Sequence, residues 1–189
     1  VNRGQVKPGN RAVVFGVGPI GLGMVLWLKR RGVTNIVSVA RSASRLERAR
    51  ALGATATISA EQENVWERLA ELHGQVRTRF GEAVGTDVYF DAAGASNIVP
   101  DVIGMAKPDS RLVISALYLK PVEINLGRFL TREMHITSAA GYPTEFPEVI
   151  AMLVEHGEEA RQIISHRVAF DNIMAALDIA RSPTCGKVM

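Results

Sequence analysis

The stretch Gly16-Val17-Gly18-Pro19-Ile20-Gly21 decides the fold of this chain, because its glycines follow the spacing Gly-x-Gly-x-x-Gly. The apolar run 11–15 before it is typical of a buried parallel strand, and residues 22–31 after it read as a helix. In that context the three glycines allow a sharp turn, a close approach of the backbone to a pyrophosphate, and tight helix–strand packing. The helix N-terminus adds free N–H groups and a positive dipole end. The stretch therefore predicts a dinucleotide-binding turn; a glycine-rich turn that binds nothing fits this context poorly.

Strand and helix signals alternate over the first three quarters of the chain. Strands are expected at 11–15, 35–40, 55–59, 87–90, 111–117 and 135–140, and helices at 22–31, from Ser42 or Ser44 to about Leu52, at 65–72 and at 95–107. Further elements are expected as a helix continuation or loop at 75–85, a short strand at 122–124 and a short helix at 126–132. This alternation predicts an α/β fold, a Rossmann doubly wound sheet of six parallel strands.

The regular alternation of strand and helix signals changes after Gly141. This change predicts two parts: a dinucleotide-binding domain over 1–141 and a C-terminal segment over 142–189. In the second part the pattern favours an amphipathic helix at 146–156, a strand at 163–168, and a helix at 172–181 capped by Asp171. Residues 186–189 read as the opening of a further strand.

Composition restricts the class of protein. The 189 residues are 47% hydrophobic with a net charge of +3, enough for a sizeable core and too little charge to suggest a nucleic-acid partner. No apolar run is long enough to span a bilayer, and the first residues resemble no signal peptide. The single cysteine, Cys185, cannot form a disulfide within the chain. We expect a cytoplasmic protein, and the start at Val1 suggests a fragment.

The tip of the second predicted strand bears on cofactor choice. An acidic residue about 20 positions after the glycines commonly binds the adenosine ribose, but Ala40 stands there, followed by Arg41, Ser42 and Arg45. A guanidinium pairs with a 2′-phosphate by bidentate hydrogen bonds, and a serine adds another donor. The sequence favours NADP over NAD, although NAD stays possible if these arginines are only solvated.

Several stretches together resemble a known family. They are Val6-Lys7-Pro8-Gly9, the glycine turn, Ala49-Arg50-Ala51-Leu52-Gly53-Ala54, Phe90-Asp91-Ala92-Ala93-Gly94, Lys120-Pro121-Val122-Glu123-Ile124 and Ile164-Ser165-His166. The chain resembles the zinc-dependent medium-chain alcohol and polyol dehydrogenases, in their 2,3-butanediol and sorbitol dehydrogenase branch. The resemblance implies the cofactor-binding portion of a larger oxidoreductase that moves hydride between a secondary alcohol or diol and NAD(P). It also implies that the C-terminal segment returns toward a catalytic domain that is mostly missing from this chain.

The resemblance also implies site residues. The cofactor-binding set, combining the motif with the resemblance, is Gly16, Gly18, Pro19, Ile20, Gly21, Ala40, Arg41, Ser42, Arg45, Ala93, Gly94, Ser115, Ala116, Leu117 and Ala140. The family's zinc-ligand motifs have no match here, so we expect neither a metal ligand nor a catalytic residue in this chain, with zinc belonging to the parent enzyme. The expected partners are a nicotinamide dinucleotide, a small alcohol or ketone, and a second copy of the chain in a homodimer or homotetramer. An unpaired sixth strand would favour such pairing.

Two other readings stay open at this point. A zinc-free quinone or enoyl reductase-type domain would have a similar fold, although the residues of the glycine turn resemble those of the zinc-dependent enzymes. A binding module that senses nucleotides would need the same cradle without chemistry. Cysteine and His-Glu zinc motifs upstream of Val1 would favour the dehydrogenase.

Overall fold

Six parallel strands form the centre of the computed structural model, which describes residues 1–141, 144–182 and 184–189. The strands are β1 (Arg11–Phe15), β2 (Asn35–Ala40), β3 (Ala56–Ser59), β4 (Gln75–Thr78), β5 (Gly81–Val84), β6 (Val88–Asp91), β7 (Arg111–Ile114), β8 (His135–Ser138), β9 (Ile164–His166) and β10 (Lys187–Val188). The helices are α1 (Pro19–Arg30), α2 (Ala43–Ala51), α3 (Val65–His73), α4 (Ile98–Met105), α5 (Leu126–Arg132), α6 (Phe146–Ala160) and α7 (Ile173–Arg181).

The order of the main sheet is β3-β2-β1-β6-β7-β8, and every neighbouring pair in it is parallel. This order confirms the predicted Rossmann doubly wound sheet of six strands. The chain leaves β1 toward β2 on one side and later returns to β6 on the other, so the strand order reverses beside β1. Ligands of open α/β sheets bind outside the carboxyl ends of the strands at such a point.

Each face of the sheet is covered, because side chains alternate along the strands. Ala12 and Val14 of β1 join one apolar cluster together with α1 and α2. Val13 and Phe15 join the opposite cluster together with α3 and α4. All four side chains are buried, as expected for a central parallel strand that reads as a continuous apolar run.

The C-terminal part packs on the face covered by α1. Met152, Ala160 and Ile163 are partly buried against the cluster on that side. Lys29 of α1 forms an ion pair with Glu159 at 2.5 Å, and Arg30 pairs with the same carboxylate. The predicted boundary between 141 and 142 adjoins residues 142 and 143, which lie outside the described residues, so the division into two parts stays a prediction.

Residues 75–84 form the antiparallel hairpin β4–β5, so the expected helix continuation or loop was wrong. Arg79 and Phe80 form the turn between the two strands, and Gly81 follows them at a φ of +106°, a conformation that favours glycine. Within the described chain, residues 122–124 form no strand, which corrects the expected short strand there; a strand needs a paired neighbour, and β8 occupies the place beside β7.

Smaller differences lie at element ends. Asp171 sits inside the short 3-10 turn Phe170–Asn172, and Asn172 takes the N-cap position of α7 that we assigned to Asp171. The expected start of a final strand is confirmed by β10, which pairs in parallel with β9. Among the described residues, no helix is both long enough and apolar enough to cross a bilayer.

Candidate functional site

The glycine turn connects β1 to α1, and its three glycines differ in their surroundings. Gly16 has a φ of +82°, and a Cβ atom there would lie 2.8 Å from the backbone nitrogen of Ala93. A Cβ atom on Gly21 would lie 1.8 Å from the carbonyl oxygen of Gly16. A Cβ atom on Gly18 would meet no other atom within 4 Å, and Gly18 lines an open cleft. Gly16 and Gly21 therefore allow the tight turn, and Gly18 leaves its backbone accessible.

The cleft above this turn has a volume of about 1360 Å³. It lies at the carboxyl ends of β1, β2 and β6, where Phe15, Ala40 and Ala92 form its floor. Drug-sized ligands occupy pockets of roughly 300 to 1,000 Å³, so this cleft is large enough for a dinucleotide. The first N–H groups of α1 have no acceptor inside the helix and are available to an anion. The open backbone at Gly18 and this helix end fit a pyrophosphate.

The wall of the cleft beside β2 carries two arginines and one carboxylate, that of Glu61 in the loop after β3. Arg41, Ser42 and Arg45 all line it, as the sequence predicted. Arg45 also donates from Nε to the carbonyl oxygen of Cys185 at 2.9 Å, so it holds the C-terminal segment in place. Ser42 occupies the N-cap position of α2, but its Oγ lies 3.1 Å from Ser44 Oγ and makes no capping bond within the described helix.

Sequence reasoning missed the part of this wall that comes from the C-terminal segment. Arg181, Ser182 and Thr184 line the cleft beside Arg41, and Arg48 donates to the carbonyl oxygen of Thr184 at 2.9 Å. No local pattern could have found these residues, because they are about 140 positions from β2 and only the fold brings them together.

Trp66 of α3 belongs both to the core and to the cleft. Its ring packs on the core beside Phe15, with centroids 6.1 Å apart, and also lines the cleft. Val65 and Ile98 add apolar surface, while Asn97 donates to Asp101 at 2.8 Å on the same wall. This combination offers a flat apolar surface with polar groups at its edge, which suits an aromatic base.

The predicted cofactor-binding residues divide into two groups. Those that line the cleft are Gly16, Gly18, Ala40, Arg41, Ser42, Arg45 and Ala93. Those that lie beyond it, in the turn or at the ends of β6, β7 and β8, are Pro19, Ile20, Gly21, Gly94, Ser115, Ala116, Leu117 and Ala140. Gly21 supports the turn from behind, whereas Leu117 is 81% exposed. The roles of all fifteen residues stay predictions.

A zinc site needs several ligating side chains close together. Over 1–141, 144–182 and 184–189, no three side chains of His, Cys, Asp or Glu come together as a metal site. The described residues therefore do not fit a zinc ion, and no zinc-dependent step is assigned to them.

Comparison with known proteins identifies the family. The family model for zinc-binding dehydrogenases matches residues 19–155, well over half of the chain. This chain belongs to the zinc-binding dehydrogenase family. The family resemblance expected from the sequence is thereby confirmed.

Individual proteins similar to this chain are also named dehydrogenases. (R,R)-Butanediol dehydrogenase of Bacillus subtilis is 28% identical over 174 residues, which are 92% of this chain and 48% of that protein. Sorbitol dehydrogenase of Mus musculus is 28% identical over 187 residues, which are 99% of this chain and 51% of that protein. The chain thus spans about half the length of the curated relatives it matches.

Solved structures give the same result. A short chain alcohol dehydrogenase from E. coli CFT073, complexed with NADH, superposes with a TM-score of 0.87 at 27% identity, covering 99% of this chain and 53% of that one. The 2R,3R-butanediol dehydrogenase of Bacillus subtilis superposes with a TM-score of 0.84 at 26% identity, covering 99% and 52%.

Proposed function

We propose that this chain is the cofactor-binding portion of a zinc-dependent alcohol or polyol dehydrogenase. Such an enzyme transfers hydride between a secondary alcohol or diol and a nicotinamide dinucleotide, and the nicotinamide ring supplies or accepts that hydride. The observation that carries the proposal is the glycine turn, which leads from the central strand into α1 and leaves Gly18 open to a dinucleotide-sized cleft. The relatives named butanediol and sorbitol dehydrogenase support the substrate class.

In this proposal the residues of the chain bind and orient the dinucleotide. The backbone at Gly18 and the first N–H groups of α1 hold the pyrophosphate. The apolar wall containing Trp66 and Ile98 receives the adenine. The other half of the dinucleotide then extends over the ends of β6 and β7, toward Gly94 and Ala116, because these strands lie on the opposite side of β1 from β2.

We further propose a preference for NADP over NAD. No carboxylate follows β2 before residue 47, and Arg41 and Ser42 line the cleft where a 2′-phosphate on the ribose would lie. Arg181 adds a third guanidinium to this wall beside Arg41 and Arg45. A doubly charged phosphate gains charge-assisted hydrogen bonds here, whereas an unmodified ribose gains fewer.

The proposal also covers the longer protein to which this chain would belong and its oligomeric state. The C-terminal segment would return toward a catalytic domain in a longer cytoplasmic protein, and residues 1–141 would form the cofactor domain. Two copies would pair through β8, which has β7 as its neighbour on one side only within the described sheet. A homotetramer would contain two such dimers.

Titration of the intact protein with NADPH and with NADH tests both steps. We expect NADPH to bind more tightly, and Arg41→Ala to lower NADPH affinity about ten-fold while changing NADH affinity little, because one charge-assisted contact is lost. Arg50→Ala is the matched control, since Arg50 is exposed on α2 and does not line the cleft. Tighter binding of NADH would overturn the NADP preference alone. Binding of neither dinucleotide would overturn the proposed function.

A further inference from the structure

Asp91 is the last residue of β6, and its side chain is fully buried beside the cleft. Its Oδ1 atom accepts hydrogen bonds from the backbone N–H groups of Ala93 and Gly94, each at 2.9 Å. Ala93 lines the cleft, so this carboxylate shapes the loop that forms part of the cleft wall. The proposed function uses the glycine turn and the arginines beside β2, and it gives this buried carboxylate no role.

The second oxygen of the same carboxylate reaches a different loop. Asp91 Oδ2 accepts a hydrogen bond from the hydroxyl of Tyr118 at 2.6 Å. The backbone oxygen of Asp91 accepts from Ser115 N and Ser115 Oγ, both at 2.9 Å, and from Ala116 N at 3.1 Å. One residue therefore holds the loop after β6 against the loop after β7.

The two loops also pack directly on each other and on the glycine turn. A Cβ atom on Gly94, which has a φ of +70°, would lie 3.1 Å from Ala116 Cβ. Ala93 touches the turn from its other side, since a Cβ atom on Gly16 would lie 2.8 Å from it. The contacts are continuous from Tyr118 through Asp91 and Ala93 to the turn. A change in the outer loop can therefore alter the space above β6 and β7.

The chemistry of the pair suits this arrangement. Burial, and then the neighbouring Asp91, raise the pKa of the Tyr118 phenol, so the hydroxyl stays protonated and can donate at any ordinary pH. Among the described residues Asp91 has no ion-pair partner, and its carboxylate is satisfied by two N–H donors and one O–H donor. Hydrogen bonds to a charged acceptor are stronger than those between neutral groups.

We propose that Asp91 and Tyr118 are a positioning pair that fixes the 115–118 loop as the support for the nicotinamide half of the dinucleotide. This inference rests on the proposed function. The adenosine half would lie on the other side of β1, along β2, where the Arg41 wall stands. The pair therefore acts on one half of the ligand, which a general contribution to stability would not do.

The test compares a whole dinucleotide with its adenosine half. In the intact protein, Tyr118→Phe is titrated with NADPH and with adenosine 2′,5′-bisphosphate. We expect the affinity for NADPH to fall about ten-fold, because the loop loses its charge-assisted tether, and the affinity for the bisphosphate to stay within about two-fold. Tyr89→Phe is the matched control: it removes the hydroxyl of a buried tyrosine on β6 that does not line the cleft.

The outcomes separate this inference from the function on which it rests. If the wild-type protein binds neither NADPH nor NADH, the proposed function fails; if it binds NADH alone, the same comparison is made with NADH and ADP. If the wild-type protein binds both and Tyr118→Phe weakens neither, or weakens both equally, the positioning role is overturned. Should Tyr118→Phe fold poorly, Asp91→Asn replaces it, since Asn keeps an acceptor for the N–H groups of Ala93 and Gly94. Asn Nδ2 can still donate to the Tyr118 oxygen, but the bond no longer has a charged acceptor, so a smaller selective loss of NADPH affinity is expected, and its absence counts equally against the inference.

Discussion

His73 shows how one buried polar side chain is accommodated at the amino ends of the strands, opposite the cleft. Its Nδ1 lies 2.7 Å from Thr86 Oγ1, and its Nε2 lies 3.0 Å from Asn35 Oδ1. A carbonyl oxygen only accepts, so Nε2 carries the proton and Nδ1 accepts from the Thr86 hydroxyl. The neutral imidazole thus satisfies both neighbours, and a second proton would place a charge in this buried site, close to the positive charge of Arg11.

The pH dependence of stability follows from this arrangement. Burial, and then the charge of Arg11, lower the pKa of His73 from 6.5 to about 4 in the folded protein. The unfolded chain therefore binds a proton first as the pH falls, and His73 destabilises the fold progressively between pH 6.5 and 4. At pH 5 the loss is about 2 kcal/mol relative to pH 7.5.

Urea unfolding at the two pH values measures this loss. The comparison variant is His73→Gln, whose amide can donate to Asn35 and accept from Thr86 but does not titrate. We expect the pH dependence of the unfolding free energy to be smaller in the variant by about 2 kcal/mol. Parallel pH profiles for the two proteins would contradict the assignment.

At the scale of elements, β1, the glycine turn and α1 act as one unit. Gly21→Ala would place a methyl group 1.8 Å from the Gly16 oxygen, so the turn must open. We expect dinucleotide affinity to fall at least about ten-fold and stability by about 1–3 kcal/mol, which is typical of overpacking. Gly23→Ala is the control in the same helix: a Cβ atom there meets nothing within 4 Å, and alanine stabilises a helix by up to about 1 kcal/mol. Titration and unfolding of both variants are the measurements, and equal behaviour would contradict this account of the turn.

The same scale shows what the sequence could predict. The glycine turn, the order of β1, α1 and β2, and the basic tip at Arg41 were readable, since each depends on local spacing and on the chirality of βαβ units. The hairpin β4–β5 was missed because each of its strands has four residues and mixes charged with apolar side chains. Residues 122–124 show the reverse error, since an apolar–polar alternation does not reveal whether a neighbouring strand is available.

The residues of the cleft were predictable from the sequence only in part. Its residues near the turn follow a motif, but Trp66, Asp101 and Arg181 reach it through tertiary packing. Trp66 also packs on Phe15 in the core. A side chain that is both core and cleft wall cannot be distinguished from a core residue by periodicity alone.

At the scale of the whole molecule, large apolar side chains remain on the surface. Leu119 is 87% exposed after β7, and Val154 and Phe170 of the C-terminal segment are 84% and 83% exposed. Exposed apolar groups in this number are typical of surfaces that contact another domain or protein. They agree with the proposal of a longer, dimeric protein. Within that proposal, the outer edge of β8 is the surface through which two copies would pair.

The geometry of β8 permits a test of the dimer that leaves the sheet intact. His135 N and Ala139 N donate to the carbonyl oxygens of Ser110 and Ile114, each at 2.9 Å, on the β7 side. N–H groups alternate in direction along a strand, so that of Ser138 points away from β7. Ser138→Pro removes an outward donor without removing a bond to β7, whereas Ser138→Ala keeps the donor and is the control. In sedimentation velocity we expect the proline variant of the intact protein to dissociate at a concentration at least about ten-fold higher than the alanine variant, because one strand-pairing bond per copy is lost. Equal dissociation of the two variants would show that the copies do not pair through this edge.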